Sequence, residues 1–162
     1  ATSDAVPLGQ VGAGTGATVS KWRGRELARP GGMVGASRRH GDLVVACLVA
    51  VNALGDPLAA TWAGVEVDAL VASRWLSDAP PDPFGNTTIG VVVTNARLTK
   101  VQCHLVAQGA HDGLARAVAP VHTVFDGDAF VAASTGEVEA NPHAVRALAA
   151  TVVADAVRTL AD

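Results

Sequence analysis

Pro83-Phe84-Gly85-Asn86-Thr87-Thr88-Ile89-Gly90-Val91-Val92-Val93 is the stretch from which the rest of the chain is read. Upstream, Ala79-Pro80-Pro81-Asp82-Pro83 cannot continue a helix, because each proline removes a backbone donor and restricts the residue before it. Downstream, Thr87 to Thr94 is almost entirely β-branched or glycine, the composition of a strand buried on both faces. Thr87 is therefore expected at the mouth of a central strand, with an exposed connector on one side and a rigid element on the other. Cutting the Asn86-Thr87 bond would make Thr87 a new amino terminus with a hydroxyl nucleophile and an amine. A terminal amine titrates near about 7.7 to 8, so part of it is free near neutrality to take the hydroxyl's proton. One residue would then supply both nucleophile and base, although Asn-Thr is a common dipeptide and equally describes a loop entering a strand.

Working outward, Asp42 to Leu54 (DLVVACLVAVNAL) reads as a buried strand ending at the turn Gly55-Asp56-Pro57, with Asn52 near its end. Residues 1–41 are rich in Gly, Ala, Ser and Thr and predict loops and short edge strands. Gly9, Gly12, Gly14 and Gly16 match neither GxGxxG nor GxxxxGK[ST], so they point to turns and close backbone approach. Residues 62–79 allow a helix. Thr99 is a candidate N-cap for a helix to about Ala117, with Val101, Leu105, Val106, Ala110, Leu114 and Val118 at helical spacing. Phe125 to Thr135 predicts another strand. Asn141-Pro142 starts a C-terminal helix whose apolar stripe runs through Val145, Leu148, Ala149, Val152, Val153, Ala156 and Leu160. Strands interleaved with helices indicate layered α/β packing in one domain.

A chain of 162 residues, 49% hydrophobic and with a net charge of −3, has room for a core and lacks a nucleic-acid surface; Arg23, Arg25, Arg29, Arg38 and Arg39 form only a loose basic stretch. No run is long enough to span a bilayer and no signal pattern opens the chain, so a soluble, cytoplasmic protein is expected. Cys47 and Cys103 belong to no CxxC pair and read as reduced core thiols. His104 and His111 could share a helix face, but no third ligand accompanies them, and neither a metal nor another cofactor is expected.

Several motifs together are more specific than any one. Gly85-Asn86-Thr87-Thr88-Ile89-Gly90-Val91-Val92-Val93-Thr94-Asn95, His111-Asp112-Gly113-Leu114-Ala115-Arg116, Pro120-Val121-His122-Thr123, Asp126-Gly127-Asp128 and Ser134-Thr135-Gly136 follow one another in an order that resembles the DmpA-like P1 family (peptidase family S58). These are self-processing hydrolases that include β-peptidyl aminopeptidases, D-amino-acid aminopeptidases and the nylon-oligomer hydrolase. The resemblance spans residues 9–160. It implies an αββα sandwich of the N-terminal-nucleophile type and a precursor that cuts itself before the nucleophile, leaving 1–86 and 87–162 as two subunit regions of one domain. Carried over, Thr87 matches the nucleophile and Asn86-Thr87 the cleavage site. Asp126 and Asp128 match the acidic pair of the nylon-hydrolase branch, Lys21 a lysine near the site, and Asn52 an asparagine that helps hold the oxyanion.

These roles make chemical sense together. Two carboxylates could orient the Thr87 amine and hydroxyl while raising the amine's pKa, Lys21 would offset their field, and Asn52 offers an amide donor where negative charge develops. Taken singly, Asp-Gly-Asp is a common turn, Lys21 a solvated charge and Asn52 a turn cap. Family members carry a long region ahead of the matching part, with a tyrosine assigned to the oxyanion site, whereas this chain has no tyrosine. The resemblance therefore implies a fragment or a separate amino-terminal chain as partner, a small amide or peptide as substrate, and a homo-oligomer of processed pairs. A self-processing amide hydrolase is the leading expectation. An acyltransferase of the ornithine acetyltransferase type and a non-catalytic assembly subunit are the alternatives.

Overall fold

The computed structural model describes residues 5–60 and 85–161. The helix allowed over 62–79 and the proline-rich connector lie outside them. The described residues form strands β1 (Thr18–Val19), β2 (Arg29–Pro30), β3 (Gly32–His40), β4 (Leu43–Val51), β5 (Asp56–Pro57), β6 (Ile89–Ala96), β7 (Val118–Ala119) and β8 (Ala129–Val138), with helices α1 (Lys100–Ala115) and α2 (Pro142–Arg158). The main sheet has the order β3-β4-β6-β8, with β3/β4 and β4/β6 antiparallel and β6/β8 parallel. β1 pairs with β2, and β5 with β7, as separate two-stranded ribbons.

The helix ends obey local chemistry. Thr99 caps α1 by accepting from the Gln102 N–H while the Gln102 side chain accepts from the Thr99 N–H, a reciprocal capping box. Asn141 caps α2 through His143 N–H, with Pro142 at the first helical position. Both helices cover one face of the main sheet. They meet closely because α1 presents Gly109 and Gly113 one turn apart: a Cβ at Gly113 would stand 2.4 Å from the Ala150 carbonyl oxygen. Val45, Val49, Val92, Val106, Leu114, Val145, Val152 and Val153 are fully buried between these layers.

Three expectations are corrected. The stretch before residue 41 is not confined to loops and short edge strands: β3 runs nine residues along the edge of the main sheet, paired throughout with β4. Its second half, Ser37-Arg38-Arg39-His40, is polar because it lies at an exposed edge, and Arg38 joins it to α2 through Asp155 at 2.6 Å. Among the described residues β6 is not buried on both faces: its residues alternate, with Val92, Thr94 and Ala96 buried and Ile89 and Val93 exposed, the described helices covering one side. The strand expected from Phe125 begins instead at Ala129, so Asp126 and Asp128 belong to the loop that precedes β8.

Candidate active site

Thr87 lies two residues before β6, and the main chain there continues the sheet's bonding to both sides. Thr87 N–H donates to the Asn52 carbonyl just beyond β4 at 3.0 Å, and the Asn86 carbonyl accepts from Gly127 N–H at 2.8 Å. Thr88 O then accepts from Ala129 N–H at 2.9 Å, at the start of β8. The Asn86–Thr87 peptide is thus gripped at its nitrogen by one neighbour and at its oxygen by the other. Asn86 and Thr88 are buried, and Thr87 is half-buried.

Lys21 reaches this point because Ser20, held in the left-handed region at φ 64°, turns the chain after β1, and Lys21 N–H docks on the Leu54 carbonyl at 2.8 Å. Its ammonium donates to Asn52 O at 3.2 Å, Asn52 Oδ1 at 2.9 Å and Gly85 O at 2.9 Å, so all three of its donors have acceptors. Burial lowers its pKa to about 8; Asp126 works against that and Arg25 adds to it. Asn52 is fixed by its neighbours: Oδ1 accepts from Thr18 N–H and from Lys21, and Nδ2 donates to Gly85 O at 3.0 Å. Its amide therefore points one peptide upstream of the Asn86–Thr87 bond.

Of the two aspartates, Asp128 holds the backbone next to Thr87 and Asp126 holds the loop beside it. Asp126 accepts from Leu54 N–H through one oxygen and from Thr123 N–H and the Thr123 hydroxyl through the other. Asp128 accepts from Thr88 N–H at 2.9 Å and meets His122 Nδ1 at 2.8 Å. Burial raises the Asp128 pKa, which Thr88 and His122 partly counter. His122 is itself in the left-handed region, at φ 51°, and its ring stands 5.0 Å from that of His111, which lies edge-on to Phe130. Burial and the facing His122 lower the His111 pKa. His104 contacts Gln108 at 3.4 Å, on another part of the helix surface.

Lys21, Asn52, Asn86, Thr87, Asp126 and Asp128 are all brought together. Sequence reasoning gives no role to His122, Thr123 or Gly127, although all three lie inside motifs it singles out. The missing signal is main-chain geometry, since two of them act at least partly through backbone groups.

A four-stranded sheet with two helices on one face, and a threonine at the start of a central strand ringed by lysine, asparagine and two aspartates, defines an α/β fold of the N-terminal-nucleophile-hydrolase type. The structure of L-aminopeptidase D-Ala-esterase/amidase from Ochrobactrum anthropi, described as a variant of that fold, superposes with a TM-score of 0.68 at 25% identity, covering 98% of this chain and 46% of that one. A Burkholderia sp. beta-aminopeptidase gives 0.67 at 27% identity, covering 96% and 46%. The chain belongs to peptidase family S58, whose model matches residues 1–162. An uncharacterized aminopeptidase of Mycobacterium leprae is 36% identical over 86% of this chain and 40% of its own length. A 6-aminohexanoate-oligomer endohydrolase of Agromyces is 32% identical over 82% and 41%. The chain thus spans about two-fifths of the length of these curated relatives. Among the described residues no helix is long and apolar enough to cross a membrane.

Proposed function

We propose that the protein is a self-processing amide hydrolase that cuts its own Asn86–Thr87 bond and then uses Thr87 as the nucleophile on small peptides or ω-amino-acid oligomers. The observation that supports this most strongly is the convergence of Lys21, Asn52 and Asp128, from separated parts of the chain, on the main chain of residues 85–88, with Asp126 beside them holding Leu54 and Thr123. Family membership and the names of the relatives point to the same chemistry, and those names divide between aminopeptidases and 6-aminohexanoate-oligomer hydrolases.

In the first step Thr87 Oγ1 adds to the Asn86 carbonyl carbon. The C–N bond breaks, Thr87 nitrogen takes a proton, and the resulting ester is opened by water to release the Asn86 carboxylate. Because the amine is still an amide nitrogen at this stage, another base is required. Lys21, which burial holds at a pKa of about 8 and whose amine lies on Gly85 O, one peptide from the bond that is cut, is the proposed base, with the neighbouring aspartates as the alternative. After cleavage the Thr87 amine faces the Asn52 carbonyl and becomes the base for its own hydroxyl. Departure of Gly85 frees Asn52 Nδ2 as a donor for the oxyanion of the acyl-enzyme step. Residues 1–86 and 87–162 then persist as two subunits of one domain, completed by an amino-terminal segment or partner and assembled as a homo-oligomer.

Denaturing intact-mass measurement followed by amino-terminal sequencing tests the reading. Two pieces, one beginning Thr87-Thr88-Ile89, are the expected result. A chain that stays whole when completed with the amino-terminal segment or partner proposed above would refute it.

A further inference from the structure

Gly127 lies between the two aspartates, and its N–H donates to the Asn86 carbonyl oxygen at 2.8 Å. That is the oxygen on which negative charge develops when Thr87 Oγ1 adds to the Asn86 carbon. A donor already aimed at the charge, and unable to swing away, needs no reorganisation at the moment of reaction. The residues on either side provide that rigidity. Asp126 is tied to Leu54 N–H and Thr123, and Asp128 to Thr88 N–H and His122.

Why the position is glycine follows from space. Its φ lies outside the left-handed region, so the backbone conformation is open to any residue. A Cβ there, however, would stand 2.7 Å from Thr87 Oγ1 and 3.7 Å from Thr87 Cβ and Cγ2. The hydroxyl occupies the room that a side chain would take, next to the donor that holds the carbonyl it attacks.

We propose that Gly127 is a catalytic residue of self-cleavage: its main-chain N–H stabilises the oxyanion formed on Asn86, and its missing side chain is the seat of the Thr87 hydroxyl. This deepens the self-processing reading and rests on it. Formation of the Oγ1–C bond gives the hydroxyl proton to the base and moves the carbonyl electron pair onto the Asn86 oxygen, to which the Gly127 N–H donates its hydrogen bond. Collapse returns that pair, expels Thr87 nitrogen with a proton and leaves the ester.

The test is to replace Gly127 with glycolic acid in the full chain, turning its N–H into an ester oxygen with no change in shape, and to time the appearance of the two fragments by intact mass. Loss of one oxyanion donor is expected to slow cleavage by roughly 10²–10³-fold. The same replacement at Ala129, whose N–H serves the neighbouring Thr88 carbonyl in the same ladder, should slow it by no more than a few-fold. Cleavage of the Gly127 ester at nearly the wild-type rate, or an equal loss at Ala129, overturns the proposal. Gly127→Ala keeps the N–H but crowds the hydroxyl, and at least a tenfold slowing is expected; an unchanged rate overturns the second half. A wild-type chain that is never cut, even when completed with the amino-terminal segment or partner, overturns the self-processing reading and this inference with it, whereas a cut wild type with an equally fast ester overturns this inference alone.

Discussion

The helix-covered face of the sheet and the loop junction at its end are built on opposite terms. Between α1, α2 and the sheet, contact is made by valine, alanine and leucine, and Val49, Val92, Leu114 and Val153 have no exposure at all. At the junction, contact is made by backbone N–H and carbonyl groups with Lys21, Asn52, Asp126, Asp128 and His122. The first region draws stability from apolar area removed from water, which is insensitive to direction. The second depends on direction, and it lowers the pKa of a lysine while raising that of an aspartate. Stability and chemistry are therefore expected to be separable by mutation.

The sharpest separation is expected from Thr87→Ala, which removes the nucleophile and should abolish cleavage outright while leaving the unfolding transition close to that of the uncut chain. Intact mass and thermal unfolding read the two effects, and any cleavage after Asn86 in that variant would undo the comparison. Leu114→Ala should do the reverse, costing about 2–5 kcal/mol by denaturant titration. Any cleavage that persists in the folded fraction should keep its pH dependence. That dependence is itself a prediction. A lysine pKa lowered to about 8 means that the base form grows as pH rises through that value, so the first-order rate of self-cleavage should climb from about pH 6 to 8 and flatten above about 9. Lys21→Arg, which keeps the charge and cannot act as a base, should remove the climb.

Smaller effects come from the edge of each region. His122→Ala removes a hydrogen bond to a carboxylate only 4% exposed, for which roughly 1–3 kcal/mol is expected. The loss should appear as slower cleavage through a loosened Thr88, with milder loss in His122→Asn, whose Nδ2 stands where the imidazole Nδ1 meets Asp128. Val131→Ala, on the sheet face away from the helices and 63% exposed, should cost less than about 0.5 kcal/mol in this chain by itself. A much larger cost in a complex with an amino-terminal partner would show that this face is covered there.

That open face also marks a limit of legibility. The run Thr87 to Thr94 has the composition of a strand covered on both sides, yet within the described residues Ile89 is 47% exposed and Val93 39%. Composition records the surroundings in which a strand is used, and the curated relatives are more than twice the length of this chain. β3 escapes a sequence reading for the opposite reason: glycine, serine and arginine are poor strand formers, and only nine residues of register against β4 make them one. The apolar run that follows Asp126 and Asp128 draws them into a strand on paper, and a turn closed by Thr123 and Asp126 holds them off it.

The sequence by itself determined the starts of both helices, because Thr99 and Asn141-Pro142 act on backbone groups within three residues of themselves. It also determined that β4 and β6 are strands, through their apolar and β-branched composition, and the family through the order of its motifs. Only the tertiary structure decided which carbonyl each donor meets. Lys21 and Gly85 are far apart in the chain and 2.9 Å apart in space, and whether the Asn52 amide faces Gly85 or Asn86 is a matter of one peptide. Hydrogen bonds depend on distance and angle at the scale of tenths of an ångström, and these are fixed only when strands from distant parts of the chain are held in register by the core beneath them.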